Sequence, residues 1–142
     1  QATDAPVIFI TEYNPIDTDQ FANDEGTMLK KMIEGVLKIP VEQCFLIPLP
    51  SNSNSHPETT KALIQALVQK IQPKAIMSMG VTPLKLLFGE TQIHQHRGQQ
   101  KALFSLPLIP SYSTKYLLRH TDDKKKTWQD LLALLEILQK TS

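Results

Sequence analysis

Residues able to do chemistry fall in a few short stretches. Glu12, Asp17 and Asp19 follow the apolar run "PVIFIT", where a carboxylate could activate water or steady a cation. Carboxylates are mostly exposed, so the simplest reading is solvated loop acids. His94 and His96 stand two apart in "IHQHRGQQ", with Glu90 the nearest third ligand. A metal needs a converging set, and the pair reads as loop histidines. In "PLIPSYSTKYLLRHTDDKKKTW" the order of residues suggests the end of an active-site loop, yet the chemistry offered is only the hydroxyls of Ser113 and Thr114. Tyr112, Lys115, Tyr116 and Arg119 interleave aromatic and basic groups, a pattern that can stack bases and hold phosphates. The same tyrosines could simply cover the end of a sheet. "GVTP" opens a helix whose free N–H groups can hold an anion, but it lacks the second glycine and the lysine of a phosphate-binding loop. Cys44 is the only cysteine, so neither an intrachain disulfide nor a cysteine-ligated metal or iron-sulfur cluster is expected, and no cofactor is called for.

These groups must be carried by one domain, residues 1–142, since 142 residues suffice for a single core. Hydrophobic residues at 41% and charged ones at 20% describe an ordinary globular chain. A net charge of +1 argues against whole-molecule attraction to nucleic acid or membrane. Between Ser111 and Lys126 five cations against Asp122 and Asp123 leave a local +3, enough only for weak phosphate contact. No apolar run is long enough to span a membrane and no signal-peptide pattern precedes "APVIFI", so the expected location is the cytoplasm. The chain begins at Gln1 rather than Met, and an N-terminal peptide is expected to precede it.

Strand-length apolar runs alternate with helical patterns. "PVIFIT", "QCFLIPLP", "PKAIMSMG" and "ALFSLPLIP" predict four strands, the last read either as one run or as two short strands. Met28, Leu29, Met32, Ile33, Val36 and Leu37 predict a helix from about Asp24 to Ile39. Ser55 with Glu58 matches a capping box, and Pro57 opens a helix with the stripe Ala62, Leu63, Ala66, Leu67 and Ile71. A short helix runs from Thr82 to Phe88, with Gly89 as its cap. The last helix spans Asp122 to Gln139, with Trp128, Leu131, Leu132, Leu135 and Leu138 on one side. The predicted architecture is a three-layer α/β/α sandwich around a mainly parallel four-stranded sheet. Ligands of such sheets collect beyond the carboxyl ends of the strands, here "TEYNP", "PLPSNSNS", "MGVTP" and "PSYSTKYLLR".

The order of these segments resembles the uracil-DNA glycosylase superfamily, above all the branch whose members carry an iron-sulfur cluster. "PVIFITEYNP" stands where that family has a strand ending in Gly-Glu-Ala-Pro-Gly. "QPKAIMSMGVTPLKLLFGE" is similar to its Pro-x-x-Ile-x-x-Leu-Gly-x-x-Ala-x-x-x-Leu-Leu-Gly block, "HRGQ" to its Arg-Gly step, and "PSYSTKYLLRHTDDKKKTWQDL" to its His-Pro-Ser/Ala-x-Leu-Leu-Arg segment. The resemblance implies a water-handling carboxylate or amide after strand one and a histidine in the last motif that stabilises the departing uracil. Glu12 keeps the acidic position, while Tyr13, Asn14 and Pro15 replace the small turn and Ser113 and Thr114 replace His-Pro. Losing one oriented donor costs about 10²- to 10³-fold in rate. The cysteine ligands are absent, and Tyr13 crowds the pocket a flipped base would need. The implied site is a catalytic loop without its catalytic group.

A non-catalytic family with this fold is the psi subunit of the bacterial DNA polymerase III holoenzyme. "MLKKMIEGVLKIPVEQCFLIPLP" and "LLRHTDDKKKTWQDL" resemble its first helix with second strand, and its Leu-Arg step with the Trp-bearing last helix. That resemblance implies a role in DNA replication through a chi-like partner and the subunits of the clamp loader. An active or degenerate glycosylase that binds DNA is the alternative.

Overall fold

The computed structural model describes residues 5–12, 24–49 and 56–140. Tyr13 and Asn14, and the loop acids Asp17 and Asp19, lie outside these residues, as does Ser55. Five strands form one sheet: β1 (Val7–Glu12), β2 (Phe45–Leu49), β3 (Ala75–Met79), β4 (Lys101–Leu103) and β5 (Leu106–Ser111), in the order β2-β1-β3-β5-β4. The first four in that order run parallel, and β4 is antiparallel on the edge. The count is therefore five rather than four, because "ALFSLPLIP" folds back on itself as a hairpin. Phe104 and Ser105 form its two-residue turn with φ of 50° and 68°, both left-handed as the tightest hairpin turns require. Neither is the glycine or asparagine that such a turn favours, so the sequence pattern does not decide between one extended run and two short strands.

The central strands are apolar on both faces, so each face needs a helical cover. On one side Val7, Phe9, Ala75, Met77 and Ile109 meet α1 (Asp24–Met32) with its π-helical continuation Ile33–Leu37, and also α5 (Thr114–Arg119) and α6 (Lys124–Lys140). On the other, Ile8, Ile10, Ile76 and Leu108 meet α2 (Pro57–Ile71) and α3 (Val81–Phe88). This is the expected α/β/α sandwich. A one-turn α4 (Ile93–His96) precedes the hairpin. Pro48 is tolerated in β2 because that strand is an edge with unpaired groups on one side.

Two helices bury different faces from those their leucines suggest. In α2 the buried residues are Ile64, Val68 and Ile71, while Leu63 points to solvent and Ala62 and Ala66 are exposed. Residues Ile64, Val68 and Ile71 are spaced four and three apart and so share one side. His56 precedes the first turn and makes no side-chain cap bond. In α6 the fully buried residues are Thr127, Asp130, Leu131 and Leu134. Trp128 and Leu132 lie outside that face, 45% and 47% exposed. Two polar residues in a buried stripe displace the apolar count, so the hydrophobic pattern alone misplaces the seam. The helix itself begins at Lys124, after a 3₁₀ turn over Thr121–Asp123.

Candidate functional site

Chain order fixes where a ligand crevice belongs. With β1 between β2 and β3, the connections leave toward opposite sides of the sheet at the β1/β3 boundary, and ligands of this architecture bind beyond the strand ends there. Glu12 ends β1 at that boundary, and Gly80 follows β3.

The Glu12 carboxylate does not stand free in this crevice. Its Oε2 accepts hydrogen bonds from the Thr82 backbone N–H at 3.1 Å and from the Thr82 hydroxyl at 2.9 Å. The anion held by the first turn of α3 is thus the protein's own carboxylate, stabilised by charge-assisted bonds and the positive end of the helix. Gly80 makes this approach possible. A Cβ at Gly80 would lie 2.6 Å from Glu12 Cδ, and its φ of 107° is one that side chains rarely adopt. The Gly80 N–H also donates to the Ser111 carbonyl at 2.9 Å, tying the ends of β3 and β5 together.

At the end of β5, Ser113 is buried and caps α5, its Oγ accepting from the Tyr116 N–H at 3.1 Å. This satisfies one donor of the helix start. Thr114 is the first residue of α5. Tyr112 is buried, and its ring stacks on Tyr116 at 4.5 Å between centroids; Tyr116 in turn stacks on His120 at 4.3 Å. Both faces of Tyr116 are therefore covered from within the chain. Its hydroxyl donates to Asp123 Oδ2 at 2.5 Å, and Lys126 pairs with Asp123 Oδ1 at 3.2 Å. The bond to Asp123 pushes the Tyr116 phenol up to about 12. The same bond, then Lys126, holds the Asp123 carboxyl below the usual range. Lys115 and Arg119 are exposed on the outside of α5.

Behind these strand ends lies a polar group that the residue pattern does not announce. Asp130, 2% exposed on α6, accepts from the Ser111 hydroxyl at 2.6 Å and from Arg97 Nη1 at 2.8 Å. Ser111 Oγ and Thr127 Oγ1 are 3.0 Å apart. Burial pushes the Asp130 carboxyl up, and the Ser111 bond and the Arg97 charge offset part of that shift. Gly98 allows the close packing, since a Cβ there would lie 2.7 Å from Asp130 Oδ1. The "HRGQ" step thus has a structural meaning: arginine neutralises a buried acid, and glycine makes room for it. The signal available in advance was the Arg-Gly pair itself; nothing marked Asp130.

Among the other candidates, His96 Nε2 meets Glu90 Oε2 at 3.0 Å, but no group of three metal-ligating side chains exists among the described residues. Both histidines lie on α4 or its last turn rather than in open loop. Cys44 is buried, and burial, with Glu34 and Glu42 adding, pushes its thiol up to about 12. A thiol held protonated is a poor nucleophile and a poor metal ligand. Among the described residues no helix is long and apolar enough to cross a membrane.

Among curated proteins none matches the chain. The family model described as "Uracil DNA glycosylase superfamily" matches residues 3–132, nearly the whole length, and takes in both strand ends and the Arg97–Asp130 pair. With a parallel sheet of this order and an acid at the end of β1, the chain belongs to the uracil DNA glycosylase superfamily.

Proposed function

We propose that this protein is a non-catalytic member of its superfamily, a psi-like accessory subunit of the bacterial DNA polymerase III holoenzyme that works in the cytoplasm through protein contacts. Its partners on this reading are a chi-like subunit and subunits of the clamp loader, with DNA contacted weakly or through them. The observation that carries the reading is the commitment of Glu12. A general base must reach a water beside the substrate, and this carboxylate instead holds the start of α3. Ser113, where the superfamily's charge-stabilising histidine would stand, is spent as a helix cap. Tyr112 and Tyr116 stack on each other, which leaves Lys115 and Arg119 as the exposed members of that aromatic and basic set.

Calorimetry with a recombinant chi-like subunit and with a single-stranded oligonucleotide, each at two salt concentrations, tests this. A DNA reader loses roughly 0.9 log units of affinity per phosphate contact for each log unit of salt. Protein recognition built on an apolar centre tolerates salt better. Salt-tolerant heat from the chi-like subunit and weak oligonucleotide binding are expected. Tight, salt-sensitive oligonucleotide binding without heat from the protein partner would overturn the reading. A DNA-repair glycosylase is the second reading, favoured by one observation: an acid is retained at the β1/β3 boundary.

A further inference from the structure

α1, α5 and α6 leave an apolar groove of about 470 Å³ between them. Met28 and Met32 from α1, Leu118 from α5 and Trp128 from α6 supply its floor and walls, and Lys31 and Lys124 stand on its rim. Two apolar side chains here are unusually open: Leu118 is 39% exposed, and Trp128 is the chain's only tryptophan. Leu132 continues the open patch one turn further along α6, on the same side as Trp128. The Trp128 ring is also positioned from below. It lies over Gly35 in the π-helical turn, 3.5 Å from where a Cβ would be.

From this we propose that the groove is a docking site for an acidic amphipathic segment of a protein partner. Tryptophan is among the residues enriched at the energetic centres of interfaces, and methionines reshape easily around an incoming side chain. The charge of the rim selects the partner. Among the described residues the lining holds two lysines and no carboxylate, and Lys30 and Lys125 beside them are exposed as well. Among the described residues none of these four lysines has an ion pair. A nearby acid, Asp123, is already engaged by Tyr116 and Lys126. A partner helix with an apolar stripe flanked by Glu or Asp would fill the groove and neutralise its rim. This deepens the proposed function and rests on it only in requiring a protein partner.

The emission of Trp128 reports the site directly. A short helical peptide with Leu and Phe along one face and Glu along the other is titrated into the full chain at low salt, beside a counterpart with Lys in place of Glu. The Glu peptide should shift Trp128 emission to the blue; the Lys peptide should not. The double variant Lys31→Glu, Lys124→Glu, with an unchanged thermal melt, should bind the Glu peptide roughly tenfold more weakly or worse. The proposal is overturned by equal binding of both peptides, by no shift, or by Trp128 that is already shielded from acrylamide in the free chain. Self-association through Trp128 in sedimentation would assign the groove to a second copy instead, and displacement of the peptide by an oligonucleotide would assign it to nucleic acid. The two proposals fail separately. A chi-like subunit that binds the double variant as tightly as the wild type removes the groove and leaves the subunit reading. A peptide that docks while no chi-like subunit binds does the reverse.

Discussion

Arg97 and Asp130 meet at 2.8 Å with very unequal exposure, 22% for the cation and 2% for the acid. Removing one partner of such a pair leaves the buried charge uncompensated, which is more damaging than the pair is stabilising. Arg97→Ala should therefore destabilise by about 2–4 kcal/mol, less than for a fully buried pair because water reaches the guanidinium. The sign of its pH dependence follows from Asp130, whose carboxyl is held above the usual aspartate range. A folded state that keeps its proton longer than the unfolded chain loses stability as pH rises from the unfolded value through the folded one. Without Arg97 this loss grows, so the deficit of the variant should be larger at neutral than at mildly acidic pH. Denaturant melts of both proteins across that range check it, and a deficit independent of pH would mean that Arg97 acts by packing alone. At the other end of the site, Glu12→Ala removes the acceptor for two donors of Thr82. A loss of about 1–2 kcal/mol is expected, in the range of a lost helix cap, and Glu12→Gln should recover part of it by keeping an oxygen in place. Full stability of Glu12→Ala would show that the carboxylate is not tied down.

The elements differ in how openly the chain declares them. β1 and β3 are plain in the sequence because both their faces are buried and almost every residue is apolar; α1 is plain because its stripe has no polar interruption. α6 was misplaced by its leucines for the opposite reason, since Thr127 and Asp130 occupy the buried face through partners at Ser111 and Arg97 that are distant in sequence. For the hairpin β4–β5 the sequence leaves one run and two short strands both open, because its turn lacks glycine and asparagine. That same turn carries strain at Ser105, whose φ of 68° disfavours a side chain. Ser105→Gly should raise stability by a few tenths to about 1 kcal/mol, the relief being partly offset by the greater freedom of glycine in the unfolded chain. A thermal melt measures the change, and a lower melting temperature would show that the serine side chain earns its place by contacts. The candidate site was half legible: Glu12 and Ser113 could be named from motif position. Their engagement by Thr82 and by the start of α5 depends on hydrogen bonds that no spacing rule encodes.

On the scale of the whole molecule, a mainly parallel sheet with its ligand crevice at the β1/β3 boundary carries its own carboxylate there, while the open tryptophan lies on the face formed by α1, α5 and α6. On the proposed reading, the two bonds from Thr82 hold Glu12 at the start of α3 rather than beside a substrate water. The open apolar surface is instead of the kind that proteins recognise. The central claim, that this superfamily fold has given up base excision, is tested most directly by release of free uracil from uracil-containing DNA, single- and double-stranded, with the protein in excess so that one turnover suffices. No release above the protein-free control is the expected result. Uracil released by the wild-type chain and abolished by Glu12→Gln would contradict it, because it would show Glu12 acting on water rather than holding α3.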